Sequence, residues 1–174
     1  MDYTTKELVI ISITVALMVV VGFIFYAVSN LLLFPGYRFI ILGSFLGFMI
    51  TIPILKIRKI GVITITSIVF AMIMSLISIF MGLAIIMTAL ATELTAFLLF
   101  KNYAKEYKII FSAAFYPFYG ALTFIYISSL LIGKNIYDLI GNLTLFLSSL
   151  IIVYGLGLLG SYISLNIIGQ RLNK

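Results

Sequence analysis

Apolar residues run almost unbroken along this chain, and charge interrupts them at intervals close to the thickness of a bilayer. The charge-free stretches are Leu8–Tyr37, Phe39–Leu55, Ile60–Thr92, Leu94–Phe100, Ile109–Gly133 and Leu139–Gln170. A membrane-spanning helix needs about 20 predominantly apolar residues. The third and fourth stretches are separated only by Glu93. Together they are too long for one span and fit two, with a break expected near Phe80–Leu83. Pro35-Gly36 closes the first stretch, and Lys134–Asn142 separates the last two. The pattern predicts six helices, over about 8–29, 38–55, 60–79, 83–100, 109–132 and 143–168. The expected fold is an all-α integral membrane protein. It is a six-transmembrane-helix bundle with short loops, forming a single domain over 1–174.

The basic residues orient the bundle. With a cytoplasmic N-terminus, the inner side carries Lys6, Lys56, Arg58, Lys59, Lys101, Lys105, Lys108, Arg171 and Lys174, and the outer side only Arg38 and Lys134. That bias supports an even number of spans, with both termini in the cytoplasm and the chain a multi-pass protein of the cell membrane. Ala27-Val28-Ser29 resembles a signal-peptide cleavage site. The apolar run before it is longer than a usual signal-peptide core, so the first helix is expected to be permanent.

Composition narrows the chemistry. Apolar residues make up 64% of the chain and charged residues 9%, against roughly 25% in a soluble domain. Such a surface can only be solvated by lipid. The net charge of +6 is explained by a basic rim beside anionic lipid, without a nucleic-acid partner. There is no His, Cys or Trp. Metal sites built on His or Cys, haem pockets and His-based acid–base pairs are therefore excluded. No metal or cofactor is expected, and an enzyme is disfavoured.

Few polar groups lie within the apolar helices, so each is a candidate. Glu93 is the one ionisable residue deep in a predicted span, about 12 Å from Lys101 along the helix. Such residues usually face a bundle interior or a cavity. Glu93 therefore either bonds a neighbouring helix in protonated form, or serves as a substrate-facing or switching carboxylate. On the fifth helix Ser112, Tyr116, Tyr119, Thr123 and Tyr126 share one face. They either bond other helices or line a pocket for a flat, partly polar ligand. Thr88, Thr92 and Thr95 give the fourth helix a small, polar surface suited to a central position. Gly157/Ser161 and Gly160/Ser164 on the sixth helix are small-residue pairs of the packing kind. Ser12-xxx-Ala16 on the first helix is either another packing patch or a docking surface for a second membrane subunit.

Six short-looped helices in this length, with Ser12-xxx-Ala16 on the first, resemble the substrate-binding S components of energy-coupling factor (ECF) transporters. Two further blocks carry the resemblance. One is Ala91-Thr92-Glu93-Leu94-Thr95-Ala96-Phe97-Leu98 on the fourth helix, and the other is the basic loop Lys56-Ile57-Arg58-Lys59-Ile60-Gly61. The resemblance implies capture of a vitamin-like micronutrient between the outer halves of helices 4–6. Uptake would then be driven by a transmembrane coupling subunit and two ATPase subunits. It places Glu93, Thr88, Tyr119, Tyr126, Asn142 and Ser148 in the pocket, Arg38 and Asn135 in the outer loops over it, and Ser12 and Ala16 against the coupling subunit. No phosphate-binding loop is present, so ATP hydrolysis would belong to partners. Without His, metal cargo is disfavoured. One Glu among several Tyr would suit a pyrimidine or thiamin-related heteroaromatic, with lipid-like and other cargo open. The alternative is a structural, non-transporting membrane protein of the MreD cell-shape type.

Overall fold

The computed structural model describes residues 3–30, 37–133, 135–136 and 140–172. Among the described residues there are six long helices: α1 (Thr5–Asn30), α2 (Tyr37–Ile57), α3 (Val62–Ser75), α4 (Ile79–Phe100), α5 (Glu106–Ile132) and α6 (Leu143–Leu172). There is no strand among the described residues. Among the described residues, four segments are long and apolar enough to cross a membrane: Thr5–Phe25, Ile79–Phe100, Glu106–Ile132 and Leu143–Gly169. Shorter apolar helical stretches cover Leu42–Ile57 and Val62–Ser75. At 14 residues, α3 extends only about 21 Å, less than the hydrocarbon thickness of about 30 Å.

Local chemistry sets the helix ends. Thr4 and Glu7 form a reciprocal capping box at the start of α1: the Thr4 N–H donates to Glu7 Oε2 at 2.8 Å, and the Glu7 N–H donates to Thr4 Oγ1 at 3.4 Å. Arg58 and Lys101 stop α2 and α4 in left-handed conformations, with φ of 53° and 58°. Their amides close the last turns onto Ile54 O and Phe97 O. At the end of α4 the Phe100 carbonyl accepts from the Asn102 N–H at 2.7 Å and from the Lys108 ammonium at 3.1 Å. Gly133, at φ 67°, ends α5.

The contacts form a ring. α1 packs on α2 and α3, α3 on α4, α4 on α5, and α5 back on α2, while α6 lies outside the ring against α2 and α5. The ring is filled at one end by Ile11, Val15, Ile50, Ile54, Ile63 and Ile109. This is the end bearing the basic loops 56–59 and 101–108. Outward faces are as apolar as the core: Val20, Leu98 and Ile151 are all more than half exposed. Large apolar surface of this kind belongs in lipid, and the chain is a membrane-embedded helical protein.

Two expectations change. The fourth helix is not central: α4 packs on α3 and α5, with Leu90, Leu94 and Leu98 facing outward. Thr92 Oγ1 turns back on its own helix to donate to Thr88 O, and Thr88 and Thr95 meet only α5 beyond α4 itself. The turn before α4 falls at Leu76–Ser78 rather than near Phe80–Leu83. Gly82 lies inside α4, where it lets the helix approach α3. A Cβ on Gly82 would sit 2.9 Å from Ser75 Cβ.

Candidate functional site

At the end of the ring opposite the basic loops, the helices line a half-open cavity of about 550 Å³. This lies within the roughly 300–1,000 Å³ usual for small-molecule sites. Each wall comes from the half of its helix far from the basic end: Met18–Phe23 of α1, Leu42–Leu46 of α2, Phe70 and Met74 of α3, Phe80–Thr88 of α4 and Tyr116–Leu131 of α5. Thr88 and Thr123 meet across the α4–α5 wall, with their hydroxyl oxygens 2.6 Å apart. The Tyr116 ring lines the cavity, and its hydroxyl accepts a bond from Ser67 Oγ at 3.0 Å. Small residues make the space. A Cβ on Gly120 would meet only Thr88 Cγ2, at 3.8 Å.

Glu93 lies deeper, at the basic end, 8% exposed. Its Oε1 accepts from the Gly61 N–H and the Tyr103 hydroxyl, both at 2.8 Å. Its Oε2 accepts from the N–H groups of Ile63 and Thr64 at 3.0 and 3.1 Å. The first amides of a helix have no intrahelical partner, and the helix dipole favours an anion there. A carboxylate from α4 thus caps the start of α3. Gly61, at φ 94°, turns the chain so that its amide points the same way. The two sequence blocks around Lys56–Gly61 and Ala91–Leu98 form one clasp. Beside it, Lys59 pairs with Glu7 at 2.8 Å and lies over the Tyr3 ring.

Tyr103 belongs to the loop outside the spans, and it tests the clasp through pH. Burial, then the Glu93 carboxylate, raises its phenol above the ordinary 10.0. The folded chain holds this proton where an unfolded chain releases it. The Tyr103 contribution is therefore intact below pH about 10 and is lost as pH rises further. Tyr103→Phe should flatten the alkaline fall of the melting temperature. Superimposable alkaline limbs for the two proteins would refute this.

The structure separates residues that the sequence grouped. Thr88 lines the cavity, and Glu93 does not. Tyr119 lies outside the lining, with its hydroxyl 2.7 Å from Thr95 Oγ1 and its ring against Phe115 and Phe118. Tyr126 is exposed on the outer surface of α5. Asn142 caps α6, its Oδ1 accepting from the Thr144 N–H at 2.9 Å. Ser148 is exposed and donates to Leu145 O, and Asn135 is exposed. The Arg38 side chain lies outside the described residues. The cavity is thus bounded by α1–α5, rather than by the fourth to sixth helices. On α1, Ser12 and Ala16 both face outward, away from the bundle.

The residues that sequence reasoning missed are apolar ones, Phe45, Phe70 and Phe80 among them. In helices apolar on every side, nothing marks them. Glycines at matching depth, Gly22 on α1 and Gly120 on α5, are the signal that was available. No protein-family model matches the chain, and neither a curated protein nor a solved structure matches it.

Proposed function

We propose that this chain is the membrane-embedded substrate-binding subunit of an ECF-type importer. The chain crosses the cell membrane six times with both termini cytoplasmic, the short α3 being extended by the exposed apolar residues Leu76 and Ile77. The chain captures a vitamin or related small micronutrient, which a coupling membrane subunit and two ATPase subunits take up at the expense of ATP. The observation that carries this reading is the cavity of about 550 Å³ opposite the basic loops. A bundle of six helices that served only as a scaffold would gain stability by filling it. The positive-inside rule puts the basic loops in the cytoplasm and the cavity toward the outside, where cargo is captured. The outward-facing Ser12 and Ala16 offer the coupling subunit a close approach.

The test is native mass spectrometry of the chain purified gently from its own membrane. A retained small molecule is expected, together with the coupling and ATPase subunits. Ala16→Trp should release the subunits and leave the small molecule bound. An intact complex with Ala16→Trp would remove this face of α1 from the contact.

The second reading, a structural protein of the MreD type, is supported by the tyrosines. The Tyr116 and Tyr119 hydroxyls are tied to Ser67 of α3 and Thr95 of α4, as in a packed bundle. Such a protein would retain no small molecule and no ATPase in the same experiment.

A further inference from the structure

We infer that the cavity takes an uncharged, largely apolar small molecule presenting a hydrogen-bond donor to the Thr88–Thr123 pair. This rests on reading the cavity as the binding site. Among the described residues that line it, none is Asp, Glu, Lys or Arg. Glu93 is five residues beyond Thr88, about 7.5 Å along α4. Both of its oxygens are already engaged, by three main-chain N–H groups and the Tyr103 hydroxyl. A carboxylate has about four acceptor sites, and this one has little left for a ligand. A cation or anion in the cavity would lose its hydration and gain no partner of opposite charge, which is strongly unfavourable.

The Ser78 and Ser128 hydroxyls also line the cavity, near the ends of α4 and α5 far from the basic loops, and deeper in, the Thr88–Thr123 pair has a definite sense. Thr88 and Thr123 carry one hydroxyl proton each. If Thr123 donates to Thr88, the Thr88 proton goes to Ala84 O at 2.8 Å. If Thr88 donates to Thr123, the Thr123 proton goes to Tyr119 O at 3.0 Å. Either way both protons are spent, and the pair offers only lone pairs to the cavity. A ligand that donates completes the pair, whereas one that only accepts displaces an existing bond. Phe45, Phe70, Phe80 and Phe124 supply ring surface for the rest of such a molecule.

The experiment uses the detergent-purified chain, native mass spectrometry and four probes. N-phenylnaphthylamine is uncharged and has one N–H. Its N-methyl derivative has no donor, its sulfonated analogue is an anion, and thiamin is a cation. The amine should form a one-to-one adduct, and N-methylation should weaken it several-fold. The sulfonate and thiamin should give no adduct at the same concentration. Gly120→Phe fills the cavity from α5, and the adduct should weaken about tenfold or more. Ala84→Leu adds bulk from α4 and carries the same test should Gly120→Phe fail to fold. Equal uptake of thiamin or the sulfonate would overturn the ligand chemistry while leaving the cavity as a binding site. An amine adduct undiminished in the folded variants would overturn the cavity reading itself.

Discussion

Replacing Glu93 by Ala should cost about 3–5 kcal/mol of stability, the range for removing one partner from a buried charged network. The reason is the number of donors left behind. Three main-chain N–H groups of residues 61–64 and the Tyr103 hydroxyl converge on this carboxylate. Each buried donor without a partner costs about 1–3 kcal/mol, partly relieved by whatever water reaches it. Glu93→Gln keeps the shape but presents an NH2 group where an acceptor is needed, so it should recover only part of the loss. In a chain of this length the Ala variant should melt about 10 °C lower. Amide exchange at Gly61, Ile63 and Thr64 should accelerate selectively, which a general loosening of the bundle would not produce. Small-molecule retention by the folded fraction should be unchanged, because the carboxylate is not part of the cavity wall. A Glu93→Gln protein with native melting and native protection at those amides would disprove the clasp. Loss of ligand without loss of stability would return Glu93 to the binding site.

Glu93 also shows why a site is harder to read than a fold. The helices were legible because nearly every loop carries charge or a turn residue: Lys56–Gly61 before α3, Lys101–Lys105 before α5, Asn142 before α6. Where that punctuation is missing, the boundary was displaced. Leu76-Ile77-Ser78 contains no charge, Pro or Gly, and Gly82 was the nearest visible break. For the site, ionisable and hydroxyl side chains are conspicuous in an apolar sequence, but their partners are not. Glu93 is held mainly by backbone amides, which every residue carries, so its capping role is silent in the sequence. The α5 stripe has a similar cause. One helix face is shared between neighbours, Tyr116 reaching α3 while Tyr119 and Thr123 reach α4. Tyr126, further along the same stripe, is exposed.

Glycine substitutions along the α2–α6 seam should have the second large effect, and they carry their own control. The backbones here meet without intervening side chains. A Cβ on Gly47 would lie 2.5 Å from Gly157 O, and one on Gly160 would overlap Ser44 O. Ser161 fastens the same contact, donating to Gly157 O at 2.8 Å and reaching Gly47 O at 3.2 Å. Gly157/Ser161 was legible as a small-residue pair, but its counterpart Gly43-xxx-Gly47 on α2 had not been singled out. Even Gly160→Ala or Gly47→Ala must force the two helices apart. Overpacking of this kind costs about 1–3 kcal/mol, and a displaced seam loses the packing of the whole α6 flank as well. Gly155 lies on the same helix, and a Cβ there meets nothing within 4 Å. Gly155→Ala should therefore stabilise α6 by about 0.5–1 kcal/mol, through lower chain entropy alone. Melting temperatures of the three variants should move in opposite directions, up for residue 155 and down for 47 and 160. A common shift of all three would mean that helix propensity, rather than close approach, explains the glycines. The seam and the cavity are then separable: α6 braces α2 and α5 from outside the ring, and none of its described residues lines the cavity. Gly160→Ala should loosen the brace and lower ligand affinity less than Gly120→Phe does.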